Sequence, residues 1–346
     1  MSLLSSMFGA GVRVRNVLYD RGRLRSLRLS GPTISVGNLS VGGSGKTPFV
    51  ILLGELLKQR GIAFDVLSRG YGRRSRGVAL VDPAGSVRQF GDEPLLISRR
   101  LNVPVIVGED RYSAGIFAEK KFGPQFHLLD DGFQHRRLAR DFDIVMLTPE
   151  DAQDKLMPAG RLREPMHSLQ RADAVVLPSA AAASEFPLDG KLVWRTRRGI
   201  RPRDVPPDPV AFCGIARPQT FFLPLRLTGV HVAAEATYRD HHAYTESDVR
   251  ELLALKERSG AQGFVTTEKD EINLGTLRSQ LEPLAVVPVE MKLLDSDVAI
   301  EAMLAKIAER TKIQPQTQGE LSSRRSFNPR QIHVSKMRPD SRHRDT

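Results

Sequence analysis

A short glycine-rich segment carries the residue types that bind phosphate: Gly42, Gly43, Ser44, Gly45, Lys46 and Thr47. Glycines let backbone N–H groups turn toward phosphate oxygens, and the start of a following helix adds partial positive charge. Lys46 is therefore expected to reach the β- and γ-phosphates of a nucleotide, and the Thr47 hydroxyl to ligate Mg²⁺. The strict pattern has glycine where this chain has Ser40. A glycine-rich turn without a ligand is the alternative.

Two carboxylates, Asp130 and Asp131, follow a short apolar run at residues 126–129. A phosphate-binding loop needs an acidic partner for magnesium at the end of a neighbouring strand, and this pair has that position. One or both carboxylates should face the metal, directly or through water. An acid pair after a strand can also cap a helix, and this second interpretation stays open at the sequence level.

The elements that must position these groups alternate along the chain. The patterns predict strands at residues 33–36, 63–67, 103–107, 126–129, 144–147 and 174–177, and helices at 47–60 and 92–100. This alternation predicts an α/β fold of the P-loop NTPase type, a mostly parallel sheet with helices on both faces. A second, smaller α/β lobe should follow the proline-rich stretch 201–209. Its strands are expected at 210–213, 230–233, 263–266 and 285–289, and its helices from 217 and at 246–259 and 296–312.

Composition and charge exclude several classes of protein. The 346 residues include one cysteine, so an intrachain disulfide and a four-cysteine metal cluster are excluded, and no apolar run has the length of a membrane span. The net charge of +11 is uneven, with +5 in residues 1–30 and +4 in residues 313–346. Basic ends suit nucleic acid or an anionic membrane, and a solvated, disordered C-terminal tail is the simpler alternative.

The first twenty residues form an amphipathic helical pattern followed by arginines. One broad face would carry Leu3, Leu4, Met7, Phe8, Val12, Val14, Val17, Leu18 and Tyr19. Such a helix either packs on its own domain or lies in a lipid interface, where an apolar face and arginines are both needed.

The phrases around the glycine-rich loop resemble those of the tetraacyldisaccharide 4′-kinase family, whose loop also carries Ser or Thr at the position of Ser40. The similar phrases occur in the family's order and lie at residues 35–48, 68–73, 91–94, 108–111, 129–135, 158–165, 240–244 and 266–270. The resemblance covers about residues 10–310 and leaves the basic tail outside.

The resemblance implies a reaction and a location. The γ-phosphate of ATP would pass, with Mg²⁺, to the 4′-hydroxyl of an acylated glucosamine disaccharide 1-phosphate, giving the 1,4′-bisphosphate precursor of lipid A. The protein would lie peripherally on the cytoplasmic face of the inner membrane, touching its anionic surface, with no nucleic acid and no obligate protein partner. The expected organisation is an N-terminal basic helix (1–30), a kinase domain (31–200), a smaller lobe (201–312) and a disordered tail (313–346).

The resemblance also implies that Asp92 and His241 pair as the base for the sugar hydroxyl. Which of the two accepts the proton is left open. Without the resemblance, Asp92 before Glu93 and Pro94 also suits a helix N-cap, and His241 also suits a structural role. A zinc site at residues 240–242 is a weaker alternative.

Further residues in the similar phrases receive roles in the same way. Arg111 and Arg163 are expected to contact phosphate, because cationic groups stabilise a transferring phosphoryl group. Gln134 and Glu164 are expected near the magnesium ion. Tyr71, between two glycines, would stack on adenine or on sugar, or else belong to the core.

Two other classes of function compete with a lipid kinase. One is a P-loop GTPase or ATPase acting as a metallochaperone or switch, which would need a guanine-recognition phrase or a cysteine and histidine metal motif. The other is a nucleic-acid-binding ATPase that uses the basic ends, but the near-neutral body of the chain argues against a long phosphate-tracking groove.

Overall fold

The computed structural model of the chain describes residues 3–311. The basic tail predicted at residues 313–346 lies outside the described residues. Within the described part the helices are α1 Leu3–Asp20, α2 Lys46–Gln59, α3 Val87–Phe90, α4 Asp92–Leu101, α5 Arg111–Phe122, α6 Gln219–Leu227, α7 Glu246–Ser259, α8 Glu268–Leu274 and α9 Ser296–Thr311. The strands are β1 Thr33–Asn38, β2 Phe64–Ser68, β3 Ala79–Leu80, β4 Val105–Val107, β5 Phe126–Asp130, β6 Phe142–Met146, β7 Ala174–Pro178, β8 Leu192–Ile200, β9 Val210–Cys213, β10 Ala234–Thr237, β11 Phe264–Thr267, β12 Leu284–Val287 and β13 Val289–Leu293.

The larger sheet has the strand order β13-β8-β7-β6-β1-β5-β2-β4-β3. It is parallel except at its two edges, where β3 and β13 pair antiparallel to their neighbours. The central strand β1 is buried along its whole length, as expected of a parallel strand covered by helices on both faces. The predicted fold class is confirmed.

The register of β1 and β5 determines where the site lies. Val36 of β1 pairs with Asp130 of β5, so both strands end at the same edge of the sheet. The loop at residues 42–47 follows β1 and leads into α2, and the acid pair follows β5. Parallel strands that end together at their carboxyl ends form the usual ligand-binding edge of an open α/β sheet.

A second, parallel sheet has the order β10-β9-β11-β12. Its first edge strand begins at Ala234, four residues later than the start predicted from sequence, and Val230 and Val232 instead pack from a loop against a separate apolar cluster. The strand predicted at 285–289 is divided into β12 and β13, because Pro288 between them has no N–H for a ladder hydrogen bond.

The chain returns to the larger sheet after its second lobe. Strand β13 pairs with β8, and residues of α9 such as Ile300 and Met303 belong to the core of the larger sheet. Residues 289–311, which the sequence analysis assigned to the smaller lobe, therefore belong to the larger sheet and its core. Strand β8 was not predicted, because arginines interrupt its apolar pattern.

The N-terminal helix α1 contacts the rest of the fold through polar groups. The Ser5 hydroxyl accepts a hydrogen bond from the Ala159 N–H, and Arg15 and Asn16 both donate to the buried carboxylate of Glu164. Its large apolar side chains face solvent, among them Leu4 and Met7. Among the described residues, no helix combines the length and the apolar character that crossing a bilayer would require.

Candidate active site

The glycine-rich loop adopts a backbone that few other residues allow. Gly42 and Gly45 have φ of +93° and +85°, and α2 begins at Lys46, directly after Gly45. The Lys46 ammonium donates to Oδ1 of Asn38 at 3.0 Å and lies 3.5 Å from the Asp131 carboxylate. Sequence reasoning missed Asn38, although it lies in a phrase similar to the family.

The guanidinium group of one arginine, Arg163, holds the carboxylate of Asp131. Both terminal nitrogens of Arg163 donate to it, at 3.0 and 2.9 Å, and Arg163 also bonds the side chain of Asn38. Burial raises the pKa of Asp131, but Lys46, Arg163 and Arg111 outweigh burial and lower the pKa below its usual range. Asp131 is therefore a permanent anion beside the loop lysine.

Asp130 has a different environment from its neighbour. One carboxylate oxygen accepts a hydrogen bond from the Ser68 hydroxyl at 2.9 Å, and the other is buried without a partner among residues 3–311. Burial and the nearby charges of Glu93 and Asp131 raise the pKa of Asp130. The charge of Lys46 only partly offsets these effects, and the free oxygen of this buried carboxylate is a suitable ligand for a divalent cation. The segment after Asp131 is a turn, so the acid pair does not cap a helix.

The polar atoms around the acid pair fit Mg²⁺. Besides Asp130, the hydroxyl of Ser44 and the side-chain oxygen of Gln134 are buried without partners in the described part of the chain. Thr47 lies at the second residue of α2. These are hard oxygen donors of the kind that Mg²⁺ prefers. The residues that would hold it are Thr47, Asp130, Asp131 and Gln134.

Glu164 does not lie with the other predicted magnesium ligands. Its fully buried carboxylate receives hydrogen bonds from Arg15, Asn16 and Arg171, at 2.8 to 3.0 Å. Glu164 does not line the cleft that the acid pair lines, and two of its three donors, Arg15 and Asn16, belong to α1, so its carboxylate holds α1 in place. We leave it out of the proposed metal site.

Asp92 and His241 meet across the two lobes, 149 residues apart in sequence. Nδ1 of His241 lies 3.0 and 2.8 Å from the two oxygens of Asp92, and the Asn273 side-chain amide donates to Asp92 at 3.2 Å. Asp92 is the first residue of α4 and Gly91 is its N-cap, so Asp92 does not cap this helix. The neighbouring His242 faces Asp248 instead, at 3.1 Å.

The charges around this pair set its protonation. Burial raises the pKa of Asp92, but the hydrogen bond with His241 and the charge of Lys269 lower it to about 2. Burial lowers the pKa of His241 and Lys269 lowers it further, while Asp92 and Asp240 raise it, and the net direction is upward. The carboxylate therefore stays ionised and orients the imidazole, which is the group that titrates.

One cleft of about 600 Å³ is lined both by the glycine-rich loop with its acid pair and by the imidazole of His241. Its lining includes the loop from Gly42 to Thr47, the acid pair, Arg163, Tyr71 and His241. Tyr71 is 66% exposed, and its ring centroid lies 5.4 Å from that of His241, so it does not belong to the core. Arg111 is buried behind the acid pair, and its Nε has no partner among residues 3–311.

Sequence reasoning also missed Lys269 and Asn273, which both lie on α8 beside Asp92. Residues 266–270 form one of the phrases similar to the family, but the sequence alone assigns no role to the lysine within it. Only the packing of α8 against α4 reveals the contact.

A phosphate-binding loop, an acid pair and an imidazole paired with a carboxylate, all in one cleft, define a phosphotransferase of the P-loop class. The comparisons with known proteins narrow this class. Residues 1–308 match the family model of LpxK, described as tetraacyldisaccharide-1-P 4′-kinase. The chain belongs to this family.

Individual relatives agree along nearly their whole length. The tetraacyldisaccharide 4′-kinase of Koribacter versatilis is 52% identical over 320 residues, covering 90% of this chain and 99% of that protein. The protein of the same name from Geobacter metallireducens is 37% identical over 330 residues, covering 88% and 97%. LpxK from Aquifex aeolicus, solved in complex with ATP, is 34% identical with a TM-score of 0.71, covering 88% of this chain and 97% of that one.

Proposed function

We propose that this chain transfers the γ-phosphate of ATP to the 4′-hydroxyl of an acylated glucosamine disaccharide 1-phosphate, a step of lipid A biosynthesis. The observation that carries the proposal is one cleft lined both by the loop lysine, Lys46, and by His241, whose imidazole pairs with Asp92 behind it. Family membership and the names of the relatives support the choice of acceptor. The switch and chaperone alternative has no comparable support.

The nucleotide half of the site would hold the triphosphate. Backbone N–H groups of the glycine-rich loop face its oxygens, and Lys46 neutralises charge on the β- and γ-phosphates. Mg²⁺, when bound by Thr47, Asp130, Asp131 and Gln134, supplies charge neutralisation at the phosphates. Arg163 holds Asp131 in place and lines the same cleft, so it is poised to contact the transferring group.

The acceptor half of the site would supply the base. His241 keeps a proton on Nδ1, shared with Asp92, so Nε2 is the nitrogen that can accept the proton of the 4′-hydroxyl. The hydroxyl oxygen forms a bond to the γ-phosphorus while the bond to the β,γ-bridging oxygen breaks. ADP leaves with the electron pair, and the proton remains on His241 until solvent takes it. Tyr71, exposed beside His241, would contact the acceptor sugar.

Label transfer tests this proposal directly. Purified acylated disaccharide 1-phosphate in detergent micelles and γ-labelled ATP should give a labelled bisphosphate, separated by thin-layer chromatography. Lys46→Ala should lower the rate by about 10²-fold or more, because a cation on the transferring group is lost. Lys120→Ala, at an exposed position on α5, is the matched control and should leave the rate unchanged. A wild-type rate for Lys46→Ala, or no transfer with ATP still bound, would overturn the proposal.

We also propose that α1 holds the protein peripherally on the anionic cytoplasmic face of the inner membrane. Leu4, Met7, Val14 and Leu18 follow helical spacing on one stripe, and all four are exposed. The residues after the helix add Arg21, Arg23 and Arg25, which are exposed as well. An apolar stripe with adjacent arginines matches a helix that lies in the plane of a lipid interface.

Sedimentation with vesicles that contain anionic phospholipid tests this location. The triple variant Leu4→Ser, Met7→Ser, Val14→Ser should weaken binding roughly tenfold or more, because three side chains no longer bury apolar area in lipid. The matched control replaces three other exposed apolar residues, Leu223, Leu227 and Val298, with serine. Equal loss in both variants, or no loss in either, would contradict attachment through α1.

A further inference from the structure

The base nitrogen of His241 has a neighbour to which the mechanism above assigns no task. The Lys269 ammonium lies 3.4 Å from Nε2 of His241 and donates to the Asp240 carboxylate at 2.9 Å. It is also 3.7 Å from the Asp92 carboxylate and 3.9 Å from that of Glu93. One ammonium group thus contacts every charged side chain around the imidazole.

The backbone holds Lys269 rigidly at this point. Lys269 is the second residue of α8, whose N-cap Thr267 accepts a hydrogen bond from the N–H of Asp270. The buried Asp270 carboxylate in turn receives the N–H of Gly214 and the hydroxyl of Tyr244, at 2.7 and 2.9 Å. A side chain on a fixed helix start, only 16% exposed, loses little freedom when it meets His241.

An ammonium group can only donate hydrogen bonds, so its approach selects one form of the imidazole. Nδ1 faces a carboxylate and keeps its proton, and Nε2 must then present its lone pair to Lys269. The charged groups that face the imidazole are Asp92 on α4, Asp240 in the loop before it, and Lys269 on α8, with Glu93 behind Lys269. Three carboxylates without the lysine would favour the imidazolium, which has no lone pair to accept a proton.

We propose that Lys269 is a positioning residue for this reaction, because its ammonium group keeps Nε2 of His241 free of a proton and ready for the acceptor hydroxyl. The inference rests on the proposed function, since it concerns the base of that site. A general base works best when its pKa lies near the working pH, and the lysine offsets the pull of the surrounding carboxylates.

Lys269→Met and Lys269→Arg test the role of the charge. In Lys269→Met the pKa of His241 should rise by about one unit or more, because a cation within hydrogen-bond distance is lost. The acid limb of the kcat/KM profile should move up with it, so activity falls about tenfold near neutral pH and recovers as the pH is raised. Lys269→Arg should retain the wild-type limb, and KM for ATP should stay constant in both variants.

Asp240→Asn is the matched variant, and it should shift the pKa of His241 in the opposite direction. Loss of this carboxylate removes a charge that favours the imidazolium and frees Lys269 to approach Nε2, so the acid limb should move to lower pH. A defect of Lys269→Met that is equal at all pH values, or is not restored by arginine, would show a merely structural role and overturn the inference.

Histidine titration by NMR separates this inference from the proposed function. The ring signals of the nucleotide-free protein are followed with pH, and His241→Gln identifies the signal of interest. The midpoint should rise in Lys269→Met whatever molecule accepts the phosphate. An unchanged midpoint overturns the role of Lys269, whereas a shifted midpoint without lipid phosphorylation would overturn the substrate and leave the role of Lys269 intact.

Discussion

Two pairs of histidine and aspartate lie at opposite edges of the larger sheet, one fully buried and one facing the cleft, and we assign them different functions. In one pair, Nδ1 of His241 lies 2.8 Å from Asp92, and in the other, Nδ1 of His127 lies 2.9 Å from Asp65. His127 is near the amino end of β5, and Asp130, at the carboxyl end of the same strand, lines the cleft. Hydrogen-bond geometry at Nδ1 therefore does not distinguish the proposed catalytic pair from the structural one.

The difference lies at the other nitrogen of each ring. Nε2 of His127 meets the carboxylate of Glu119 at 3.3 Å, and the whole side chain is inaccessible to solvent. Carboxylates at both ring nitrogens favour a proton on each, and they raise the pKa of His127 above its ordinary value although burial lowers it. Nε2 of His241 lies in an open cleft, 3.4 Å from the Lys269 ammonium and 3.7 Å from the Asp240 carboxylate, and on our proposal the ammonium keeps its lone pair free. The partner of Nε2 determines which histidine can act as a base.

The largest effect is expected from replacing each histidine with glutamine, because this change separates the proposed role of His241 in catalysis from the role of His127 in stability. His241→Gln should reduce kcat by about 10²–10⁴-fold, because the proton acceptor for the hydroxyl is lost. His127→Gln should leave kcat of the folded protein near the wild-type value. Rates are measured by label transfer at saturating ATP, below the unfolding temperature of each variant. A large kcat loss in His127→Gln alone would contradict this division.

When stability is measured instead of activity, His127→Gln should have the larger effect and His241→Gln the smaller. His127→Gln leaves the carboxylate of Asp65 buried without its cation, which should cost about 3–5 kcal/mol of unfolding free energy. His241→Gln should cost less, because its side chain is 27% exposed and Lys269 and Asn273 still contact Asp92. Urea denaturation provides the comparison, and equal losses would show that accessibility does not matter here.

The contact between Asp92 and His241 was predicted before the structure, whereas the contact between Asp65 and His127 was not. The nucleotide loop and the acid pair follow from local patterns, since both lie where a strand ends. The pair of Asp92 and His241 came from a resemblance, because 149 residues separate them and no periodicity relates them. Asp65 and His127 lie inside strands whose neighbours are apolar, and only strand pairing shows that they meet.

Elements that depend on packing were also missed. Arginines interrupt the apolar pattern of β8, which forms by pairing with β7 and β13. Strand β13 alternates apolar and charged residues, but it is only five residues long and directly follows Pro288, so the sequence did not separate it from β12. The short helix α8 gave no periodic signal of its own, so the position of Lys269 could not be read from the sequence. The carboxylate of Glu164 was assigned to metal from its phrase, although three donors from elsewhere in the fold surround it.

The smallest effect should come from Glu119→Gln, which weakens the structural pair at Nε2 while keeping an acceptor for the N–H groups of Ser30 and Gly31. Burial lowers the pKa of His127, but Asp65 and Glu119 raise it above its ordinary value. A raised pKa means that this contribution to stability is complete below the ordinary value and is lost as the pH rises through the folded value. Removing Glu119 should therefore reduce stability on the acid side of that range by ~1 kcal/mol and leave the alkaline side little changed.

Unfolding free energies measured from about pH 6 to about pH 9 test this loss of pH dependence, because the range covers the histidine titration and lies above the ordinary range of carboxylates. The buried Asp130, whose pKa is raised, is present in every variant and cancels from the comparison. The double variant with His127→Gln is the control, since without the imidazole Glu119→Gln should no longer alter the pH dependence. A pH dependence that survives Glu119→Gln unchanged would mean that Asp65 alone holds the proton on His127. The two histidines would then differ only in their exposure to solvent, and the contrast drawn from their Nε2 partners would fail.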